Sequence, residues 1–132
     1  MKILIADDEA NNRILLENFL SPYGSCDSVV NGLAAVETFE MAVRDGAPYD
    51  LVCLDIMMPE LDGQKALVRI RKLESELRSD GREAAIFMIT ALDVEEHMLR
   101  AFLIGGCTDY LIKPITSRKV VEKLRQHRII PV

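Results

Sequence analysis

Side chains at four places in this sequence have the chemistry to handle a phosphoryl group, and each stands where a strand should end. They are the acidic pair Asp7-Asp8, the lone Asp55, the hydroxyl of Thr90 and the ammonium of Lys113. Carboxylates brought close together repel, so at least one holds its proton unless a cation joins them. A hard divalent ion with oxygen ligands does that, and Mg²⁺ suits a site with few carboxylates and several retained waters. A metal and Lys113 arranged around one carboxylate would neutralise phosphoryl oxygens, with the Thr90 hydroxyl donating to another. The central carboxylate can then act as nucleophile, because carboxylates form aspartyl phosphates. Each piece also has a plainer reading. Asp7-Asp8 can cap a helix, Asp55 can be a solvated strand end, Thr90 an ordinary strand residue, and Lys113-Pro114 a strand stop. The joint arrangement favours a shared site.

The elements that must position these groups alternate along the chain. Apolar runs predict strands over Lys2–Ala6, Cys26–Val30, Asp50–Leu54, Ala85–Thr90 and Thr108–Ile112. Between them, helical spacing predicts a helix through Leu20, closed by Pro22 and Gly24, with Leu15, Leu16, Phe19 and Leu20 inward. A second runs from the Asn31-Gly32 turn to about Asp45, with Val36, Phe39 and Val43 in phase, and stops at Gly46. A third starts at Asp62-Gly63 and carries a Leu67, Ile70, Leu73, Leu77 stripe. A fourth, with Asp93 and Glu96 as a reciprocal cap, ends near Ile104 before Gly105-Gly106, and a fifth covers Ser117–Gln126. Residues 78–84 read as an exposed polar connection, and 128–132 as a frayed tail after a single domain over 1–127. Strands alternating with helices imply right-handed crossovers and a parallel sheet covered on both faces, where ligands sit beyond the carboxyl ends of the strands.

Composition narrows the function classes. The chain has 132 residues, 49% of them apolar, enough for one packed core. Its formal net charge of −5 argues against direct nucleic-acid binding, which needs a basic stripe. No apolar segment approaches the roughly 20 residues of a membrane span. The N-terminus reaches an acidic pair too early for a signal peptide. Three widely spaced cysteines suggest a reduced, cytoplasmic protein: Cys53 and Cys107 are read as buried thiols, and Cys26 stays open. His97 and His127 read as surface residues without partners, and the basic last helix (Arg118, Lys119, Lys123, Arg125, then Arg128) as a solvated face or one that pairs with acidic residues of a partner or a second copy.

Asp7-Asp8-Glu9, Asp55-Ile56-Met57-Met58-Pro59 with Asp62-Gly63, Thr90-Ala91 and Tyr110-Leu111-Ile112-Lys113-Pro114 together resemble the receiver domains of two-component response regulators, more particularly the single-domain, chemotaxis-type members. The resemblance implies a flavodoxin-like (βα)5 three-layer α/β sandwich with sheet order 2-1-3-4-5. It implies that Asp55 is the phosphoacceptor, charged by a sensor histidine kinase or phosphotransfer protein. Asp7, Asp8, Asp55 and the backbone carbonyl of Met57 would hold Mg²⁺. Lys113 would bond the phosphoryl group, Thr90 would be the switch hydroxyl, and Tyr110 the aromatic that follows it inward. The Lys113-Pro114 bond is expected to be cis. A downstream protein target would read the face made by the fourth helix, the fifth strand and the fifth helix, and a homodimer is compatible with the sequence. Met57 and Leu92 are apolar where polar groups help position an attacking water, which implies slower self-dephosphorylation than in relatives with an acid or amide there. The resemblance implies a phosphoacceptor with intrinsic autodephosphorylation only, not an enzyme. A haloacid-dehalogenase-like phosphatase is the competing reading, but it needs Asp-x-Asp after the first strand. A binding module that no longer uses phosphate is a further one, against which the complete Asp, Asp, Thr and Lys set stands. Met1 directly before the first strand suits a natural start, with a receiver fragment of a larger regulator or hybrid kinase as the alternative.

Overall fold

The computed structural model of the protein describes residues 1–91 and 105–132. Strands β1 (Lys2–Ala6), β2 (Ser25–Val29), β3 (Leu51–Asp55), β4 (Ala85–Thr90) and β5 (Asp109–Ile112) form one parallel sheet in the order β2-β1-β3-β4-β5. The described helices are α1 (Ala10–Leu20), α2 (Gly32–Arg44), α3 (Gly63–Leu77) and α4 (Ser117–Gln126). This is the expected flavodoxin-like order. The helix expected between β4 and β5, with Leu92, its Asp93 and Glu96 cap and His97, lies outside the described residues.

Strand periodicity divides the core in two. Ile3, Ile5, Leu51, Cys53, Phe87, Ile89 and Leu111 point to one face, where Leu16, Leu20, Val120 and Leu124 of α1 and α4 cover them. Leu4, Ala6, Val52, Leu54, Ile86 and Met88 point to the other, against Ala35, Val36 and Phe39 of α2 and Ala66, Leu67 and Ile70 of α3. Burial on both faces is why these strands read as unbroken apolar runs rather than alternating ones. β2 is an edge strand and is only half-buried, which fits its Ser, Asp, Ser content. Cys53 and Cys107 are buried thiols as expected, and Cys26 is half-buried.

Helix starts are set by side chains accepting from the first turn. Asn31 accepts from Ala34 N at 2.7 Å, Asp62 from Lys65 N at 2.9 Å and Thr116 from Lys119 N at 3.2 Å. Gly46 takes φ 75° just past α2, a backbone region that favours glycine. Three strands differ by one residue from expectation: β2 and β3 are each shifted at both ends, and β5 starts at Asp109 rather than Thr108. β2 starts at Ser25, whose N–H donates to Met1 O, and ends at Val29 because Val30 and Asn31 turn out of the sheet to cap α2. β3 ends at Asp55, since Asp55 pairs with Ile89 and Ile56 N donates to Ile89 O at 2.9 Å.

Two expectations are corrected and a third is refined. The 78–84 connection is exposed over residues 79–83 as expected, but its end is tied down from α3: buried Glu74 accepts from Ala84 N at 2.6 Å and from Arg71 Nη1 at 2.7 Å. Arg71 also donates to Ala84 O and Gly106 O, so one guanidinium braces two loops. His127 is not partnerless. It is half-buried, and its Nε2 lies 2.6 Å from Asp109 Oδ2. The tail is not frayed either. Arg128 takes a left-handed φ of 56°, which turns the chain back so that Ile129 N donates to Leu124 O at 2.8 Å. Ile130 then packs, 8% exposed, in the cluster with Leu16, Leu20 and Leu124. Ile130→Ala is therefore expected to lower unfolding stability by about 2 kcal/mol or more, read as a lower urea midpoint at unchanged slope. A change near zero would mean the tail does not contribute to the core.

Candidate functional site

The site follows from sheet register. Ile3 pairs with Leu51 and Ile5 with Cys53, so the same register carried two residues further sets Asp7 beside Asp55. Ile89 stands between Asp55 on β3 and Leu111 on β5, so Lys113 begins one step beyond, on the same face. Its stem crosses β4, and its Nζ lies 2.9 Å from Asp55 Oδ2. On the other side, Met57 N donates to Asp55 Oδ1 at 3.1 Å. Both oxygens of this carboxylate are thus held. Asp55 is only 2% exposed, which rules out the plainer reading of a solvated strand end.

Asp7, Asp8 and Asp55 each offer a carboxylate oxygen, and these lie within 4.8 Å of one another. Asp7 is fully buried and Asp8 is exposed. The helix-capping reading of the pair fails, because Glu9 is the N-cap residue of α1 and makes no side-chain cap bond. Asp7 Oδ1 accepts from Glu9 N at 2.9 Å, but its buried Oδ2 has no hydrogen-bond donor among the described residues. A buried carboxylate oxygen without a donor is costly, and a divalent cation would remove that cost. The donor set, all oxygen and partly open through Asp8, fits Mg²⁺.

Charge confirms the tension. Burial pushes the Asp7 carboxyl up to about 6; the Glu9 N–H opposes this, the charge on Asp55 adds to it, and Lys113 opposes it. Burial alone would lower the Lys113 ammonium, but its bond to Asp55 and the nearby charges outweigh that and raise it. It stays charged at neutral pH.

Thr90 is buried at the end of β4, and its carbonyl accepts from Lys113 N at 2.7 Å. The Lys113-Pro114 peptide is cis, as expected. Tyr110 pairs with Met88, one face-repeat below the Thr90–Ile112 pair, and is half-buried beneath Lys123, whose Nζ is 5.5 Å from the ring centroid. Met57 leaves its side chain 65% exposed at the rim. Sequence reasoning missed Arg13, whose Nη1 donates to the Asp7 carbonyl at 2.8 Å. A single arginine in the first turn of a helix leaves no pattern that points to a backbone carbonyl. The basic last helix is only partly a solvated face: Arg118 is exposed, but Lys119 donates to the carbonyls of Ile112 and Pro114, and Lys123 to Asp109.

A parallel α/β sheet with an acidic cluster and a lysine at its carboxyl edge defines the class, and the comparisons agree. The chain belongs to the response regulator receiver domain family, whose model matches residues 3–125. Members are phosphoacceptors rather than classical enzymes, which replaces the phosphatase alternative. The chemotaxis protein CheY of Bacillus subtilis (strain 168) is 31% identical over 127 residues, 95% of this chain and 95% of that protein. The receiver domain of sensor histidine kinase PA1611 from Pseudomonas aeruginosa PAO1, solved with a magnesium ion in its active-site cleft, is 28% identical with a TM-score of 0.75, covering 95% and 94% of the two chains. The co-crystal structure of the Saccharomyces cerevisiae histidine phosphotransfer protein Ypd1 with the receiver domain of Ssk1 matches at 27% identity and a TM-score of 0.81, covering 96% and 87%. The chain spans only 12% to 50% of the length of several larger sensor kinases and transcriptional regulators it matches.

The raised Asp7 carboxyl gives a pH signature in metal-free protein. A folded value near 6, against an ordinary 3.8, means the fold favours the protonated form. The resulting stabilisation is complete below the ordinary value and is lost as pH rises through about 6. The melting temperature of wild type relative to Asp7→Asn should therefore fall between about pH 4 and 6 and level off above that, and saturating Mg²⁺ should flatten the difference. Parallel melting profiles for the two proteins without metal would count against this account of Asp7.

Proposed function

We propose that this domain, in the cytoplasm, accepts a phosphoryl group on Asp55 from the phosphohistidine of a sensor histidine kinase or phosphotransfer protein, and passes the change of state to a downstream protein. The observation that carries this reading is the held carboxylate: Lys113 and Met57 N–H fix the two oxygens of Asp55 beside an under-satisfied, buried Asp7. In the transfer, an Asp55 oxygen attacks phosphorus, the P–N bond breaks, and its electron pair returns to the imidazole nitrogen. Asp7, Asp8, Asp55 and the Met57 carbonyl would hold Mg²⁺, which when bound supplies positive charge against the transferring oxygens. Lys113 exchanges its contact with Asp55 for one with the new phosphoryl oxygens, so it remains paired throughout.

The Thr90 hydroxyl donates to the phosphoryl group and leaves room toward which Tyr110 moves. A dianion on Asp55 binds better to that state, and this differential affinity is the source of the population shift. β5 and α4 contribute to the face that reports it, where Tyr110, Ile112, Lys119 and Lys123 line a groove.

Exposure to acetyl phosphate and Mg²⁺ should add one phosphoryl group to wild type by intact mass, and none to Asp55→Asn or to wild type in chelator. Equal labelling of Asp55→Asn would move the acceptor elsewhere. Met57 presents an exposed thioether beside Asp55, where nothing in the side chain orients water. Met57→Asn should shorten the half-life of the phosphorylated form; equal half-lives would refute that role.

A further inference from the structure

The loop between β3 and α3, residues 56–62, carries the groups around Asp55, and two glycines grip it from below. Gly63 opens α3, and its N–H donates to Ile56 O at 2.9 Å. A methyl built on Gly63 would lie 2.2 Å from the Asp55 carbonyl oxygen and 2.9 Å from Ile56 Cα. Gly32 opens α2 on the same side of the sheet. A methyl there would lie 1.9 Å from the Leu61 carbonyl oxygen, at the far end of the same loop. Real Cβ atoms do not approach backbone oxygens so closely, and backbone cannot swing aside as a side-chain tip does.

Neither glycine is explained by conformation. The left-handed glycines are Gly46, Gly81 and Gly106, not these two. Both sit at the first helical position, where alanine is the better helix former. Local propensity therefore predicts that alanine stabilises each helix, while the backbone contact predicts that it displaces the loop. The loop also contains Glu60 at φ 67°, a strained setting for a side-chain-bearing residue, so its path is held by its surroundings.

We propose that Gly63 and Gly32 are positioning residues: their missing side chains set the height of the 56–62 loop and so aim the Asp55 carboxylate at Asp7, Asp8 and Lys113. This rests on the proposed function for its meaning, but not for its test. Displacing the Asp55 carbonyl rotates the residue that carries the carboxylate. It loosens the Met57 N–H and Lys113 Nζ contacts that hold the two oxygens.

Two readouts check it on the intact chain. In metal-free Gly63→Ala and Gly32→Ala, the Asp55 ¹³Cγ and Lys113 ¹⁵Nζ resonances should shift from their wild-type positions. Mg²⁺ affinity measured by titration calorimetry should fall about tenfold or more, as for other losses of support behind metal ligands. Leu73→Ala is the control. It removes a partly buried side chain of α3 far along the helix, so it should lower stability while leaving both readouts unchanged. Wild-type resonances and affinity in either folded glycine variant would overturn the proposal, as would equal changes in Leu73→Ala. Failure of wild type to bind Mg²⁺ would strike the proposed function, and the metal-free resonances would still decide this inference.

Discussion

The structure depends on keeping carboxylates out of water at one end of a sheet without satisfying all of them. Asp55 is buried but held on both oxygens, and Asp7 is buried with one oxygen lacking a donor among the described residues. Desolvation makes the charged Asp7 expensive, and the neighbouring Asp55 makes it more so. Lys113 offsets part of that cost. What is left is an affinity for positive charge built into the folded state before any ligand arrives. A fully paired site would be more stable and would have little reason to take up a cation.

The same interaction explains why the fold must be a parallel sheet of this order. Asp7, Asp55 and Lys113 come from strands that are far apart in sequence but share one face and one edge. With β1 and β3 adjacent, the two acids meet directly. With β4 between β3 and β5, the lysine must be long, and its stem lies over β4 while its head reaches Asp55. A shorter cation at position 113 would not reach. The apolar runs of β1, β3 and β4 serve this arrangement, since the buried faces fix register and a slip of one residue would turn each acid to the opposite face.

Much of this was legible because strand ends and apolar runs are local signals. The five strands, the third helix's stripe and its start at Asp62-Gly63 follow from spacing and turn signals alone, and the assembly of Asp7, Asp8, Asp55 and Lys113 follows from listing what stands at each strand end. What stayed hidden depends on long-range geometry. The burial of Asp55, the Arg13 contact with the Asp7 carbonyl and the seating of Ile130 all require knowing which backbone passes nearby. His127 and Lys123 looked like surface residues because nothing in a basic helix shows that Asp109 lies beneath it. Glycines 32 and 63 read as turn signals, although neither takes a left-handed φ, and only the close approach of carbonyls gives them meaning.

Asp109 supplies the contrast that isolates the site's chemistry. It lies on the same face of the sheet, at the start of the edge strand β5, and is nearly as buried as Asp55. Burial pushes its carboxyl upward too, but His127, the Tyr110 N–H and Lys123 outweigh that and hold it below the usual range. That acid is fully engaged and serves to fasten α4 to β5. Asp7, with comparable burial and fewer donors, moves the other way. Burial alone therefore does not make a carboxylate functional. The number of donors left out around it does, and at the carboxyl edge that number is small enough to leave work for a cation.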